Sequence, residues 1–98
     1  MYMVLIYDIQ LSQNKDRHQE DARVLRVVFK TCKKYLSHIQ KSVFEGEISR
    51  AQYETLSYEL KAILRKDQDS CIVFVARNNV WMKKEFITKQ IDQTSQFI

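Results

Sequence analysis

The residue best suited to chemistry in this sequence is Asp8, the carboxylate near the end of an apolar run over residues 2–9. A run rich in Val, Ile and Tyr predicts a buried strand. A carboxylate at the end of such a strand is held rigidly beside the loops where ligands gather. Asp is also a common turn former, so Asp8 fits a simple loop cap as well.

A symmetric dimer would bring two copies of Asp8 together. Like charges repel at short range unless a cation lies between them. Mg²⁺ accepts one or two carboxylates and keeps several waters, and it can activate water and neutralise a phosphodiester. We therefore predict Asp8 as a metal ligand and catalytic group, with Tyr7 as a second catalytic candidate and Ser42 and Phe44 near the dimer seam. For Tyr7 and Phe44, the residue types favour a place in the core over one at the seam.

A second candidate site is a row of cations on the outer side of the predicted first helix. Cations without interleaved carboxylates favour phosphate binding over simple solvation. No aromatic platform accompanies them, so the row suits sequence-independent binding of a duplex backbone. Arg17 and Lys15, in the preceding loop, extend the same surface. The row consists of Arg23, Arg26, Lys30, Lys33 and Lys34.

The cysteines and histidines offer no further site. Cys32 and Cys71 stand in apolar surroundings without CxxC spacing, which favours buried thiols in a reducing compartment over a disulfide or a zinc site. His18 and His38 have no ligand at metal-binding spacing, and we interpret both as structural or solvent-facing. Walker, GxGxxG, HExxH and nucleophile-elbow motifs are absent, which excludes most nucleotide-dependent and acyl-transfer enzymes.

The length and charge of the chain limit what it can build. Its 98 residues, 45% of them hydrophobic, provide one core and one domain. So short a chain more often completes a working site by pairing with a copy of itself, so we expect a homodimer. The net charge of +4 is compatible with a phosphate-bearing partner and also with a merely soluble surface. The apolar N-terminal run is too short for a signal peptide or a membrane span, which predicts a cytoplasmic protein with no membrane partner.

Hydrophobic periodicity predicts the first half of the fold. After a loop over residues 10–19, a helix over 19–36 carries apolar residues at three- and four-residue spacing. Residues 38–48 follow as two short strands with a break near Lys41 and Ser42. The apolar positions of the helix are Ala22, Leu25, Val28, Phe29, Cys32, Tyr35 and Leu36.

The second half repeats the pattern. Ser49 and Gln52 have capping-box spacing and predict a helix that ends near Arg65. Residues 70–76 form another apolar strand, and after a turn over 77–79 a short final strand is predicted over 85–90.

This βαββαβ order, followed by one more strand, predicts an α+β ferredoxin-like domain with both helices on one face of an antiparallel sheet. The domain spans 1–98, with a core over about 1–77 and a C-terminal strand and tail over about 80–98 that contact the partner protomer. A second copy packing sheet to sheet would cover the other face, and the last strand would pair with the partner's sheet edge.

Three segments, MVLIYDI, KYLSHIQKSVFEGEIS and DSCIVFVA, in this order and at these separations, resemble the CRISPR-associated Cas-two family over about residues 1–77. The resemblance implies a ferredoxin-like homodimer whose C-terminal strand crosses to the partner, with Asp8 at the position of the family's metal-binding aspartate. Leu36 departs from the family pattern, which commonly has a small residue there.

Family members are described as magnesium-dependent endonucleases acting on RNA or duplex DNA. They are also described as the scaffold that joins the Cas-one integrase during spacer acquisition, which needs no chemistry at Asp8. We expect the scaffold role. Nuclease activity stays an open question, because one Asp per chain supplies no visible general acid. A toxin-type small ribonuclease and a ferredoxin-like metabolite-binding regulatory domain are the alternatives.

Overall fold

The computed structural model describes residues 1–12 and 15–88. The predicted βαββαβ order is confirmed. In chain order, the elements are β1 (Tyr2–Asp8), a 3₁₀ turn (Lys15–Arg17), α1 (His18–Lys33), β2 (Ser37–Gln40), β3 (Val43–Glu47), α2 (Arg50–Ile63), β4 (Ser70–Ala76) and a second 3₁₀ turn (Asn79–Trp81).

The four strands form one antiparallel sheet in the order β2-β3-β1-β4, as the ferredoxin-like prediction requires. β1 is central, and its Leu5 lies opposite Phe44 of β3 and Val73 of β4. Because side chains alternate along a strand, β1 turns Met3, Leu5 and Tyr7 toward the helices. The buried core consists of Met3, Leu5, Tyr7, Ile9, Val24, Val28, Cys32, Leu36, Phe44, Ile48, Leu56 and Leu60.

The buried face of α1 differs from the predicted one. Val24 and Val28 are buried, whereas Ala22 is exposed and Leu25 is 36% exposed. Apolar residues occupy more than one side of this helix, and the side turned inward carries Val24, Val28 and Asp21, which pairs with Arg65. Ala22 and Leu25 therefore lie beside the core rather than within it.

The second helix begins as predicted. Both bonds of the capping box form, since the Gln52 backbone N–H donates to Ser49 Oγ and the Ser49 N–H donates to the Gln52 side chain. The helix ends at Ile63, two residues before the predicted end.

The turns on either side of β2 have different backbone conformations. Between β2 and β3, Lys41 has a φ of 40°, in the left-handed region, at the predicted break. Between α1 and β2, Leu36 needs no such conformation: its backbone N–H donates to the Cys32 carbonyl at 2.9 Å and its side chain is buried over Gly46. The chain therefore makes this turn without the small residue common in the resembled family.

In the single chain, residues 85–88 of the strand predicted over 85–90 are irregular, while residues 89 and 90 lie outside the described part of the chain, and pairing with a partner's sheet edge stays a prediction. A strand forms only where another strand offers unpaired hydrogen-bonding groups. In the single chain, residues 82–88 instead lie against the outer face of β1 and β3, where Lys84 forms an ion pair with Glu45. Across residues 1–12 and 15–88, no helix is long and apolar enough to cross a membrane.

Candidate functional site

Asp8 is the last residue of β1 and its side chain is exposed on the sheet face that no helix covers. Its register partner is Ser70, the first residue of β4. The neighbouring surface is apolar: Ile6 lies opposite Ile72 and is 39% exposed, and Ile72 and Phe74 are 55% and 54% exposed. Asp8 therefore lies at the border of an apolar surface, which we call the open face.

The donor set around Asp8 allows only a weak metal site within one chain. No group of three or more His, Cys, Asp or Glu side chains in the described residues could hold a metal ion. Mg²⁺ needs only one or two carboxylates when waters complete its shell. Asp8 therefore fits as one ligand, and a second protein ligand would come from another chain.

Tyr7, Ser42 and Phe44 do not accompany Asp8. Tyr7 and Phe44 lie on the helical side of the sheet, and Phe44 is fully buried with its ring 6.1 Å from that of Tyr7. The core position favoured for these two rings is confirmed, and the alternative position near the seam is wrong, because alternation along the strands turns them away from the face carrying Asp8. Burial raises the pKa of Tyr7 to about 12, so its phenol, hydrogen-bonded to Ser42, stays protonated at neutral pH.

Behind Asp8, Arg65 connects three segments of the chain. Its guanidinium donates to Asp21 at the start of α1, to the Gln10 carbonyl at 3.1 Å, and to both carboxylate oxygens of Asp69 at 2.9 and 3.1 Å. The carboxylates also accept backbone N–H bonds, Asp21 from Ser12 at 2.7 Å and Asp69 from Gln10 at 3.0 Å. We call Arg65, Asp21 and Asp69 the arginine cluster.

The arginine cluster binds the backbone of Gln10 and Ser12, which follow Asp8. It also includes Asp69, which precedes Ser70, the register partner of Asp8. Hydrogen bonds from Arg65 and from the Ser12 N–H hold the pKa of Asp21 below its usual range. Burial opposes the same effect at Asp69, yet the bonds from Arg65 and Gln10 still lower the pKa of that carboxyl. Both carboxylates are therefore charged at neutral pH and matched by a cation.

Four of the predicted row residues lie on one exposed side of α1: Arg23, Arg26, Lys30 and Lys33. Within residues 1–12 and 15–88 none of the four forms an ion pair with a carboxylate. Arg17 is exposed just before the helix begins, and Lys15 starts the 3₁₀ turn ahead of it. We call the four helix cations the basic row.

Lys34 does not belong to the basic row. It turns toward α2 and pairs with Glu59, which also accepts a hydrogen bond from the Tyr35 hydroxyl at 2.8 Å. The hydrogen bond to Glu59 raises the pKa of Lys34 and the same contact lowers the pKa of Glu59. Lys34 is paired with a carboxylate of α2, unlike the four residues of the basic row, and its phosphate contact stays a prediction.

The remaining reactive side chains, those of the cysteines and histidines, lie in the core or at the surface. Cys32 is fully buried, and burial raises the pKa of its thiol to about 12. Cys71 is partly buried and its thiol pKa is also raised by burial. His18 is exposed, and His38 packs edge to face on Phe29 with its Nε2 2.7 Å from the Lys41 carbonyl oxygen.

Residues 1–84 match the family model described as CRISPR associated protein Cas2. The chain belongs to the CRISPR-associated Cas2 family. A protein of Fusobacterium nucleatum subsp. nucleatum named CRISPR-associated endoribonuclease Cas2 is 44% identical over 98 residues, which are all of this chain and 87% of the relative. A protein of Moorella thermoacetica named CRISPR-associated endoribonuclease Cas2 2 is 40% identical over 98% of this chain and its own full length.

Solved structures of the Cas2 family share the fold. The crystal structure of Streptococcus pyogenes Cas2 at pH 6.5 superposes with a TM-score of 0.70 at 23% identity, covering 88% of this chain and 99% of that one. A structure described as cas2 gives a TM-score of 0.68 at 30% identity and covers 92% and 88% of the two chains. The ferredoxin-like prediction and the family resemblance are both confirmed.

Sequence reasoning missed the arginine cluster in this Cas2-family chain. Arg65 and Asp69 have the spacing of an i,i+4 ion pair, which was the available signal. No short-range sequence pattern relates these two residues to Asp21, which lies 44 residues before Arg65. The partial exposure of Leu25 on α1 was missed for a similar reason, since periodicity identifies an apolar stripe but not its exact orientation.

Proposed function

We propose that this protein acts in CRISPR adaptation as a cytosolic homodimer that binds duplex DNA and joins the Cas-one integrase in spacer acquisition. The observation that carries the proposal is the basic row, four exposed cations on one side of α1 with no carboxylate partner in the described residues. Family membership supplies the CRISPR context.

The length of the basic row suits a duplex. Arg23 and Lys33 are ten residues apart, or about 15 Å along the helix axis. Duplex DNA presents about nine phosphate charges over that length. The cations lie on a rigid helix and are not neutralised by neighbours, so they can replace counterions on the DNA without first breaking ion pairs. Backbone contacts of this kind position DNA without reading its sequence.

The open face supports the homodimer. Ile6, Ile72 and Phe74 leave an apolar surface beside the part of β1 and β3 that residues 82–88 cover. Contiguous apolar surface of this kind usually marks an interface. A second copy packed sheet to sheet would bury it and bring two Asp8 carboxylates toward one another.

Nuclease activity is a second candidate function, favoured by the exposed Asp8 carboxylate and by the endoribonuclease names of the relatives. Asp8 would hold Mg²⁺ in the dimer, and the bound ion would supply an activated water and charge neutralisation at the phosphodiester. Tyr7 takes no part, because it lies on the other side of the sheet with a protonated phenol.

The DNA-binding proposal is tested by replacing Arg23, Arg26 and Lys30 with Ala and measuring duplex affinity against salt concentration. Each lost phosphate contact should lower the salt slope by about 0.9, so the triple variant should lose between two and three units. The control is the triple Ala variant of Arg50, Lys61 and Lys66, which removes the same charge from the region of α2. Equal losses in the two triples, or an unchanged slope, would place the DNA elsewhere.

The nuclease candidate is tested with Asp8→Asn. We expect magnesium-dependent cleavage to disappear while duplex affinity stays within about twofold, because Asp8 is on the open face and the basic row is on a helix covering the opposite face. Cleavage by the purified Asn variant at the parent rate would assign the activity to other residues or to a contaminant.

A further inference from the structure

A groove of about 800 Å³ lies between α1 and the turn that joins β2 to β3. Leu25 and Phe29 contribute apolar surface to its lining, which we call the floor, and Arg26, Lys30, Lys33 and Lys41 line the same groove. The groove thus combines apolar surface with four cations.

The groove exists because of the way α1 is rotated on the core. Val24 and Val28 fill the contact with the sheet, so Leu25 and Phe29 form a second apolar strip between the buried side and the basic row. Leu25 remains 36% exposed. An aliphatic side chain in this position contributes nothing to phosphate binding. An apolar group of a ligand would remove it from water, and this burial would stabilise the complex.

We propose that this groove docks an acidic segment of a protein partner, anchored by one or two apolar side chains. Four cations around an apolar floor are complementary to a peptide in which carboxylates flank a Leu, Phe or Trp. The proposal goes beyond DNA binding, although the groove shares three cations with the basic row.

A nucleobase fits this groove less well than an apolar side chain. Base recognition on aromatic residues requires an open ring face. Lys33 Nζ lies 5.8 Å from the centre of the Phe29 ring. His38 and Phe44 pack edge to face against the same ring at 4.8 and 5.4 Å. The floor therefore offers aliphatic and ring-edge contact rather than a stacking platform.

The groove and the basic row share some residues, but each also has a residue of its own, so the two surfaces can be tested separately. Arg26, Lys30 and Lys33 belong to both, so a docked acidic peptide should compete with duplex DNA. Arg23 belongs to the row but does not line the groove, whereas Leu25 lines the groove but carries no charge. One substitution at each position therefore distinguishes the two surfaces.

The experiment is a selection of a phage-displayed library of random dodecapeptides on the full-length protein, followed by fluorescence anisotropy with the enriched peptides. We expect enriched sequences that combine Asp or Glu with Leu, Phe or Trp. Leu25→Ser should weaken their binding about tenfold and leave duplex affinity unchanged. Arg23→Ala should have the reverse pattern.

A second variant protects the result against a local folding defect. Lys41→Glu lies outside α1, on the opposite border of the groove, and should weaken the same peptides. Peptides that bind Leu25→Ser and Lys41→Glu as tightly as the parent would overturn the proposal, as would a selection with no enrichment. A duplex affinity that falls in Leu25→Ser would assign the groove to DNA. Self-association lost in that variant would assign it to a second copy. Either result would also overturn the proposal.

Discussion

The arginine cluster and the basic row use similar residues for opposite purposes. In the cluster, Arg65 is 12% exposed and its guanidinium is bonded to two carboxylates and a carbonyl. In the row, four cations on one helix are exposed and have no carboxylate partner in the described chain. The first arrangement fixes the loop that follows Asp8 and the loop that precedes β4, and the second leaves charge available for a ligand.

The difference shows that solvent access and pairing, rather than residue type, decide what a cation does in this molecule. Buried charges must be matched because their loss of hydration is costly. Exposed charges contribute little to stability but dominate association with a polyanion. This division of roles between buried, paired cations and exposed, unpaired ones can be tested by substitution.

The largest effect is expected for Arg65→Ala. Removing one member of a buried ion-paired group leaves uncompensated carboxylates, and the free energy of unfolding should fall by about 3 kcal/mol. Urea denaturation monitored by circular dichroism measures this value. Arg23→Ala is the matched control and should change it by less than about 0.5 kcal/mol. Similar losses in the two variants would contradict the division.

Acid should weaken the arginine cluster specifically. The pKa values of Asp21 and Asp69 are lowered in the folded chain, so their stabilisation is present above the unfolded pKa, near 4, and is lost as pH falls through the folded values. The free energy of unfolding should therefore decline below about pH 4. Urea titrations at several pH values measure the decline, and Asp21→Asn should make it shallower. A decline as steep in the Asn variant would place the proton uptake elsewhere.

A smaller effect should separate Lys33 from its neighbour Lys34. Lys33→Ala removes a cation of the basic row, so the salt slope of duplex binding should fall by about 0.9. Lys34 is already paired with Glu59, and Lys34→Ala should leave the slope unchanged. Equal slopes for the two variants would show that the contact with Glu59 does not persist when DNA binds.

The smallest effect is expected at Arg50, which forms an exposed i,i+4 pair with Glu54 at 3.5 Å. Such pairs contribute at most about 0.5 kcal/mol. Arg50→Ala should therefore leave the urea midpoint nearly unchanged, although it breaks an ion pair. A loss comparable to that of Arg65→Ala would mean that pairing alone, without burial, stabilises this chain.

Local patterns predicted most of the fold. The strand over 70–76 and the capping box at Ser49 were correct because each depends on residues close together in sequence. The observed orientation of α1 buries Asp21 against Arg65, a long-range contact that periodicity does not include. The strand expected over 85–90 depended on a partner edge that one chain does not supply.

The candidate site divides in the same way. The sequence identified Asp8 and the exposed cations, since strand ends and helix faces follow from short-range spacing. It did not identify the ion pair between Lys34 and Glu59, because Lys34 follows the end of α1, Glu59 lies in α2 and only tertiary packing brings them together. It also grouped Phe44 with Asp8, although they lie on opposite faces.

The reaction rates of the two thiols can report how often different parts of the folded protein open to solvent. Only an accessible thiolate reacts readily with a disulfide reagent, and Cys32 is fully buried with a thiol pKa of about 12. Its modification rate would follow openings that expose the whole core. Cys71, partly buried near Leu56 and Leu60 of α2, would report smaller separations of that helix from β4. Ligands that tighten the molecule would therefore slow the two reactions to different extents.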